Sequence, residues 1–443
     1  MKNKIAILLA LFLMLSVGLT SCAGVLATNP TTTGTPEPTQ TGSDSRQAED
    51  LMAGFQAAAW TGAGTLPDEG AIAVINRFAA DLFLSSVQNP GNVMVSPASV
   101  FLALAMTLNG AETTTKESML RVLADNDLSI DEINQASRTW MALLQTATEK
   151  TTVSIANSIW FDRDFVPFKP FLQTNADFFG AGASKLDFLD PAAPDVINAW
   201  VKESTRGTIE KIIDKIPDNA VMYLINSIYF KSDWLEPFEK VETRERDFTT
   251  PSGIKQVPFL HRIGPLMTYF TGSDATGIAL PYENGRFAYF AILPDDQKTP
   301  REWLAAQDQD TLFTTLSGLM AQKANFTVDL SMPKFEATYE DSLKNELKAM
   351  GMEIAFVPYE ADFTQMSDDH RHTLFIGDVK HKTFIRVDEK GTEAAAVTSV
   401  EIQDESMISS DIQLTFDRPF VYGIMDMQSR LPLFVGILED PTA

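Results

Sequence analysis

Few side chains in this 443-residue sequence are grouped as catalysis or metal binding requires. Asp125-Asn126-Asp127-Leu128-Ser129-Ile130-Asp131 opens like a calcium loop, with carboxylates on alternate residues. Such a loop needs glycine at its sixth place and glutamate at its twelfth. Ile130 and Ala136 stand there, so the stretch reads as a solvated acidic turn. His370 and His372, near Asp368 and Asp369, are donor types a transition metal accepts, but His-x-His in a polar loop reads as surface. No G-x-S-x-G elbow, H-E-x-x-H helix or phosphate-binding G-x-x-x-x-G-K-[ST] occurs. The single cysteine, Cys22, excludes an intrachain disulfide and a cysteine-based zinc cluster. No metal or cofactor site is therefore expected in the chain.

One segment has a pattern that could do work on another protein. Residues 389–405 read EKGTEAAAVTSVEIQDE. As a strand, one face carries Thr392, Ala394, Ala396, Thr398, Val400, Ile402 and Asp404, small or apolar at six of seven places. The other face holds Glu393, Ala395, Val397, Ser399, Glu401, Gln403 and Glu405. This suits a strand with one face on a core, and its small residues would ease insertion between two existing strands. The polar run Ser406–Ser410 then reads as a loop. A segment that suits both strand and loop points to two packings of one chain, beside the plainer reading of a strand followed by a surface loop.

The elements that would hold such a segment are legible around it. Ile72, Ile75, Phe78, Ala79, Leu82 and Phe83 have helical spacing. Ser96-Pro97 reads as a helix start, and the nearly all-apolar run after it as a helix buried on every side, closed by Asn109-Gly110. Ile197–Asp214 is expected to be helical with a break at Gly207, and Gln47–Trp60 to form a short helix. Strands are expected at Tyr223–Phe230, Ile278–Tyr282, Ala288–Leu293, Phe326–Met332, Phe384–Val387, Gln413–Phe416, Phe420–Met425 and Leu433–Leu438. Helices early and strands late predict an α+β fold with large mixed or antiparallel sheets.

Composition bounds the partners. The chain is 44% hydrophobic and has 35 basic against 59 acidic residues, a net charge of −24. That surface repels nucleic acid and anionic membranes. Lys2, Lys4 and the apolar run Ile5–Leu15 read as an export signal, too short to span a bilayer. Leu19-Thr20-Ser21-Cys22 resembles the bacterial lipoprotein box, which implies cleavage after residue 21, lipid on Cys22, and an exported chain anchored to a membrane and facing the periplasm or the cell surface. Twelve of the fifteen residues 28–42 are Thr, Pro or Gly, so residues 22–66 read as a tether. Residues 67–443 contain no further linker and read as one domain.

Several blocks then resemble one family. VDEKGTEAAAVT resembles the hinge of the serpins, protease inhibitors that trap their target by inserting a loop into a sheet. NVMVSPASVFLALAMTLNGAETTTKESM, INAWVKESTRGTIEKII, LINSIYFKSDWLEPF, FDRPFVYGIMD and LPLFVGILEDP follow in family order, so the likeness covers about residues 70–443. It implies the serpin fold: helices around a large central mixed sheet, two smaller sheets and an exposed reactive-centre loop. By position, Ser96, Ser99, Asn226 and His381 match the shutter, where the sheet opens; Trp234, Lys334 and Glu389 match the breach, where the loop enters. Glu389, Gly391, Thr392, Glu393, Ala394, Ala395 and Ala396 match the hinge. Counted as in inhibitory members, the seventeenth residue from Glu389 is Glu405, giving Glu405–Ser406 as the reactive bond, with Asp404 and Met407 as neighbouring alternatives. The resemblance implies a monomer that forms a covalent complex with a serine or cysteine protease. Residues 111–150 hold four basic and seven acidic side chains, against activation by a polyanion. A non-inhibitory binding module and a lipid-anchored hydrolase are the other function classes; the small-residue hinge opposes the first and the missing motifs the second.

Overall fold

The computed structural model describes residues 48–58, 65–145, 150–272, 274–322, 326–392 and 409–443. The early helices are α1 (Glu69–Ser86), α2 (Pro97–Leu108), α3 (Thr113–Ala124), α4 (Ile130–Leu144), α5 (Lys169–Phe179) and α6 (Ala193–Ser204). Three shorter ones follow, α7 (Pro300–Ala305), α8 (Leu312–Met320) and α9 (Lys344–Leu347). Local chemistry sets their starts. Asp68 accepts from the Gly70 N–H to cap α1. Ser96 accepts from the Ser99 N–H at 3.3 Å, and Pro97 takes the first position of α2, where a missing N–H costs nothing. Every residue of α2 except Ala103 is buried, as its unbroken apolar sequence predicts.

The strands form three sheets among the described residues. The largest runs in the order β1 (Glu49–Asp50), β4 (Gly182–Leu186), β3 (Thr151–Asp162), β5 (Met222–Asp233), β14 (Gly391–Thr392), β13 (Lys380–Val387), β12 (Phe335–Ser342). The second runs β2 (Val93–Val95), β17 (Leu431–Leu438), β16 (Phe420–Asp426), β10 (Phe287–Pro294), β9 (Ala275–Pro281), β8 (Thr268–Thr271). The third runs β15 (Ile412–Thr415), β11 (Val328–Pro333), β7 (Gly253–Gly264), β6 (Arg244–Thr250). Among the described residues only β3–β4 and β11–β15 pair in parallel, so the first and third sheets are mixed, the second is antiparallel, and the α+β expectation stands.

Layering follows from burial. The inner face of the largest sheet (Ile228 and Phe230 from β5, Ile385 and Val387 from β13) joins the main core with α2. Its outer face carries α6, whose Ile197 and Val201 pack on Trp160 and Ile225. β16 and β17 are buried along their whole length, because the main core covers one face and a second cluster with Phe83, Phe313 and Leu316 covers the other. No helix among the described residues is long and apolar enough to cross a membrane.

Two expectations are overturned. The described part of Gln47–Trp60 is extended, not helical: Glu49 and Asp50 pair with β4, and the Leu51 N–H donates to the Ala183 carbonyl at 2.9 Å. Leu51, Met52 and Phe55 rest on the core, and the Gln173 amide donates to the Gln56 carbonyl at 3.0 Å. The edge of β4 offers unpaired backbone groups, and satisfying them outweighs a weak helical preference. The packed unit thus includes residues 48–58, ahead of the expected start at 67. The helix expected over Ile197–Asp214 ends at Ser204, where Arg206 and Gly207 turn left-handed (φ 51° and 88°). Asn198 then holds the following segment, accepting from the Ile212 and Ile213 N–H groups and donating to the Ile213 carbonyl.

Candidate functional site

Among the described residues, the largest sheet has a gap at its centre. β5 and β13 are joined only through β14, where Gly391 pairs with Asp233 and Thr392 with Ser232 and Val387. Below Thr392 no ladder connects β5 to β13 among the described residues. Each strand instead pairs on its far side, β5 with β3 and β13 with β12. Among the described residues, a lane without a strand therefore runs between β5 and β13 below Thr392.

The top of the lane is a clamp on residues 388–392. Asp388 accepts from the N–H groups of Lys390 and Gly391 at 2.9 and 3.3 Å, which fixes the turn. Gly391 lies so close to β5 that an added Cβ would sit 2.0 Å from the Ser232 carbonyl oxygen. Trp234 donates through its backbone N–H to the Lys390 carbonyl at 2.7 Å and through its ring N–H to the Asp388 carbonyl at 2.9 Å. The same indole stacks on Tyr282 at 4.7 Å, and the Tyr282 hydroxyl lies 2.5 Å from Thr392 Oγ1. Glu389 is held by Lys334 Nζ at 2.8 Å and by the Thr243 hydroxyl at 3.0 Å. Burial alone would raise the Glu389 pKa, but these donors outweigh it and hold the carboxyl below its ordinary range. The Phe238 N–H donates to the Glu389 carbonyl, closing the clamp.

Halfway down, polar groups line both sides of the lane. His381 on β13 is fully buried, and its Nε2 accepts from the Ser96 N–H at 3.1 Å, which requires the neutral ring. Burial pushes its pKa down to about 4, opposed by the charge of Asp341. On β5, the Asn226 amide donates to Asn157 Oδ1 at 2.6 Å, and Asn157 donates to the Phe179 carbonyl at 2.7 Å. The Ser99 hydroxyl donates to the Asn226 carbonyl at 3.4 Å. Asn226 Oδ1 is buried without a hydrogen-bond partner among the described residues. Below this level lies a cavity of about 440 Å³ whose lining includes Val100, Leu104, Leu224, Phe363, Leu374 and Phe375.

The residues singled out by sequence thus meet in two groups. Trp234, Lys334 and Glu389 converge at the clamp; Ser96, Ser99, Asn226 and His381 face the lane from α2, β5 and β13. Gly391 and Thr392 form β14. Glu393, Ala394, Ala395, Ala396, Glu405, Ser406 and Cys22 lie outside the described residues. Sequence reasoning missed Thr243, Tyr282 and Asn157, whose sequence neighbours give no sign of the contacts they make, and Asp388, which stands inside the hinge block beside Glu389. Elsewhere, His370 Nδ1 is 2.8 Å from the Thr364 carbonyl and His372 lies 3.9 Å from Asp362; no three His, Cys, Asp or Glu side chains among the described residues gather as metal ligands.

A sheet whose described strands leave a lane between β5 and β13, with a clamped segment at its head, is the geometry that the family comparison explains. The family model described as "Serpin (serine protease inhibitor)" matches residues 73–441. The chain belongs to the serpin family. An uncharacterized serpin-like protein of Thermococcus kodakarensis is 32% identical over 379 residues, 83% of this chain and 85% of the relative. Glia-derived nexin of Mus musculus is 30% identical, covering 79% and 88% of the two chains. Among solved structures, the thermophilic serpin tengpin in its native state is 36% identical and superposes with a TM-score of 0.81, over 89% of this chain and all of that one. Tengpin in its latent state gives 0.73 at 35% identity, over 84% and 98% of the two chains. The serpin fold expected from the sequence is the fold observed, and protease inhibition in general is the activity that family membership supports.

Proposed function

We propose that this serpin inhibits a serine or cysteine endopeptidase as a suicide substrate, cut at Glu405–Ser406. The protease nucleophile attacks the Glu405 carbonyl carbon, the new acyl bond forms, and the Ser406 amine departs with a proton from the protease's general acid. The freed strand then enters the lane. The observation that carries this reading is the register of β14. Continued downwards, it sets Ala394 between Phe230 and Ile385, Thr398 between Asn226 and His381, and Val400 and Ile402 beside Leu224 and Met222. Thr398 would bring a hydroxyl to the unpartnered Asn226 Oδ1. Val400 and Ile402 would fill the apolar cavity, and new ladder hydrogen bonds would form on both sides. The uncut form is then held by a barrier, with the Lys334–Glu389–Thr243 clamp and the Ser96–His381 bond as parts of it.

Glutamate at the bond suits an enzyme with a basic specificity pocket. The Leu19–Cys22 box and the Thr/Pro/Gly-rich stretch support export, lipidation of Cys22 and a tether that positions the inhibitor near a membrane. The test is incubation with a glutamyl endopeptidase, subtilisin, chymotrypsin and papain. A denaturant-stable complex, with Ser406 as the new N-terminus of the released fragment, is the expected result. Cleavage by all four enzymes without any complex would overturn it.

A further inference from the structure

We propose that Phe326, Leu266 and Tyr269 form a second docking contact for the target protease, beside the loop and separate from it; this rests on the inhibitory reading above. Phe326 is 45% exposed and Leu266 48% exposed, unusual for side chains of this size. Both lie at one end of the third sheet: β11 and β7 pair with Val328 opposite Gly264, and Phe326 and Leu266 each stand two residues beyond that pair. The Tyr269 ring meets Phe326 edge to face at 6.2 Å, and Leu266 precedes Tyr269 by three residues in the chain.

The patch lies where the loop returns to the fold. The Asp411 N–H donates to the Thr327 carbonyl at 2.8 Å, and Asp411 Oδ2 accepts from the Thr327 N–H at 2.8 Å, so the returning leg is tied to the residue next to Phe326. Asp411 lies five residue steps beyond Ser406. At 3.3–3.6 Å per residue, the reactive bond stays within about 18 Å of that tie. A protease domain has a radius of gyration of roughly 17 Å. An enzyme seated on the bond therefore covers ground that includes the patch. Asp411, tied to Thr327, borders it, so the matching protease surface is apolar with a basic rim beside its cleft.

A contact of this kind acts before cleavage and is lost once the protease is carried away with the inserted strand. It should speed capture without altering the outcome of each capture. The test uses the full chain, parent and the double variant Leu266→Ser/Phe326→Ser, with Ile254→Ser as control. Ile254 is also exposed, but lies at the opposite end of β7, roughly 33 Å away. Against whichever of glutamyl endopeptidase, subtilisin or chymotrypsin the parent traps fastest, the double variant should associate about tenfold more slowly. The share of cleaved molecules that end as complex, and the melting temperature, should match the parent, and Ile254→Ser should associate at the parent rate. Equal rates for parent and double variant, or an equal drop in Ile254→Ser, would overturn the patch and leave the inhibitory reading intact. A parent that traps none of the enzymes would overturn both.

Discussion

The Ser96–His381 bond should make the closed sheet sensitive to acid through one residue. His381 is buried, its Nε2 must stay unprotonated to accept from Ser96, and its pKa is pushed down to about 4 against an ordinary 6.5. The unfolded chain therefore binds the proton more readily than the native one. A histidine with a depressed folded pKa contributes fully above the unfolded value, and its contribution is lost as pH falls from 6.5 towards 4. With these two values the linkage amounts to about 2 kcal/mol at pH 5 and about 3 kcal/mol at pH 4, relative to pH 8. The nearest charge is the carboxylate of Asp341, its cross-strand neighbour; Lys380 and Lys382 flank it on the other face of β13. The assay is urea unfolding of the uncut protein between pH 8 and 5, followed by tryptophan fluorescence, for the parent and His381→Gln. Glutamine keeps an acceptor for the Ser96 N–H but does not titrate. The parent should lose about 2 kcal/mol more than the variant over that range. Identical pH dependence in the two proteins would refute the role given to this ring.

Ala394→Arg puts a long charged side chain into the lane opposite Phe230, so it should slow insertion and yield cleaved inhibitor in place of complex; gel densitometry of the two products checks this. Gly391→Ala forces a Cβ onto the Ser232 carbonyl oxygen, so β14 must leave the sheet, and the melting temperature of the uncut form should fall. Lys334→Met removes the main donor to Glu389; the lysine is partly exposed and the pair solvent-screened, so the loss should stay below about 1 kcal/mol, with faster spontaneous loop insertion on prolonged warming as the clearer readout. A chain beginning at residue 65 lacks the strap over β4 and should melt lower and aggregate faster in light scattering, because that sheet edge is left unpaired.

What the sequence made legible divides along physical lines. β5, β16 and β17 were readable because burial on one or both faces imposes β-branched and aromatic runs. β12 (FEATYEDS) and β6 (RERDFTT) were not, because their solvent faces are charged and dilute the alternation. β3 is twelve residues long, yet TTVSIANSIWFD carries Asn157 and Ser158 buried at its middle, where an apolar pattern would be sought. The strap at residues 48–58 takes its form from the edge of β4, which nothing local encodes. The clamp shows the same split: Glu389 and Trp234 stand in matched blocks, whereas Thr243 and Tyr282 reach the site only because β6 begins, and β9 ends, beside it.

The proposed mechanism has a consequence for supply. Under it, a sheet that completes itself once, from its own chain, has no route back, so each molecule would be a single-use device. Protection is then a titration: one inhibitor disappears for every protease stopped, and capacity is set by copy number at the place of encounter, with affinity playing no part once the bond is cut. Control over this activity accordingly lies with synthesis and turnover, and any spontaneous filling of the lane lowers the working stock as surely as an encounter does.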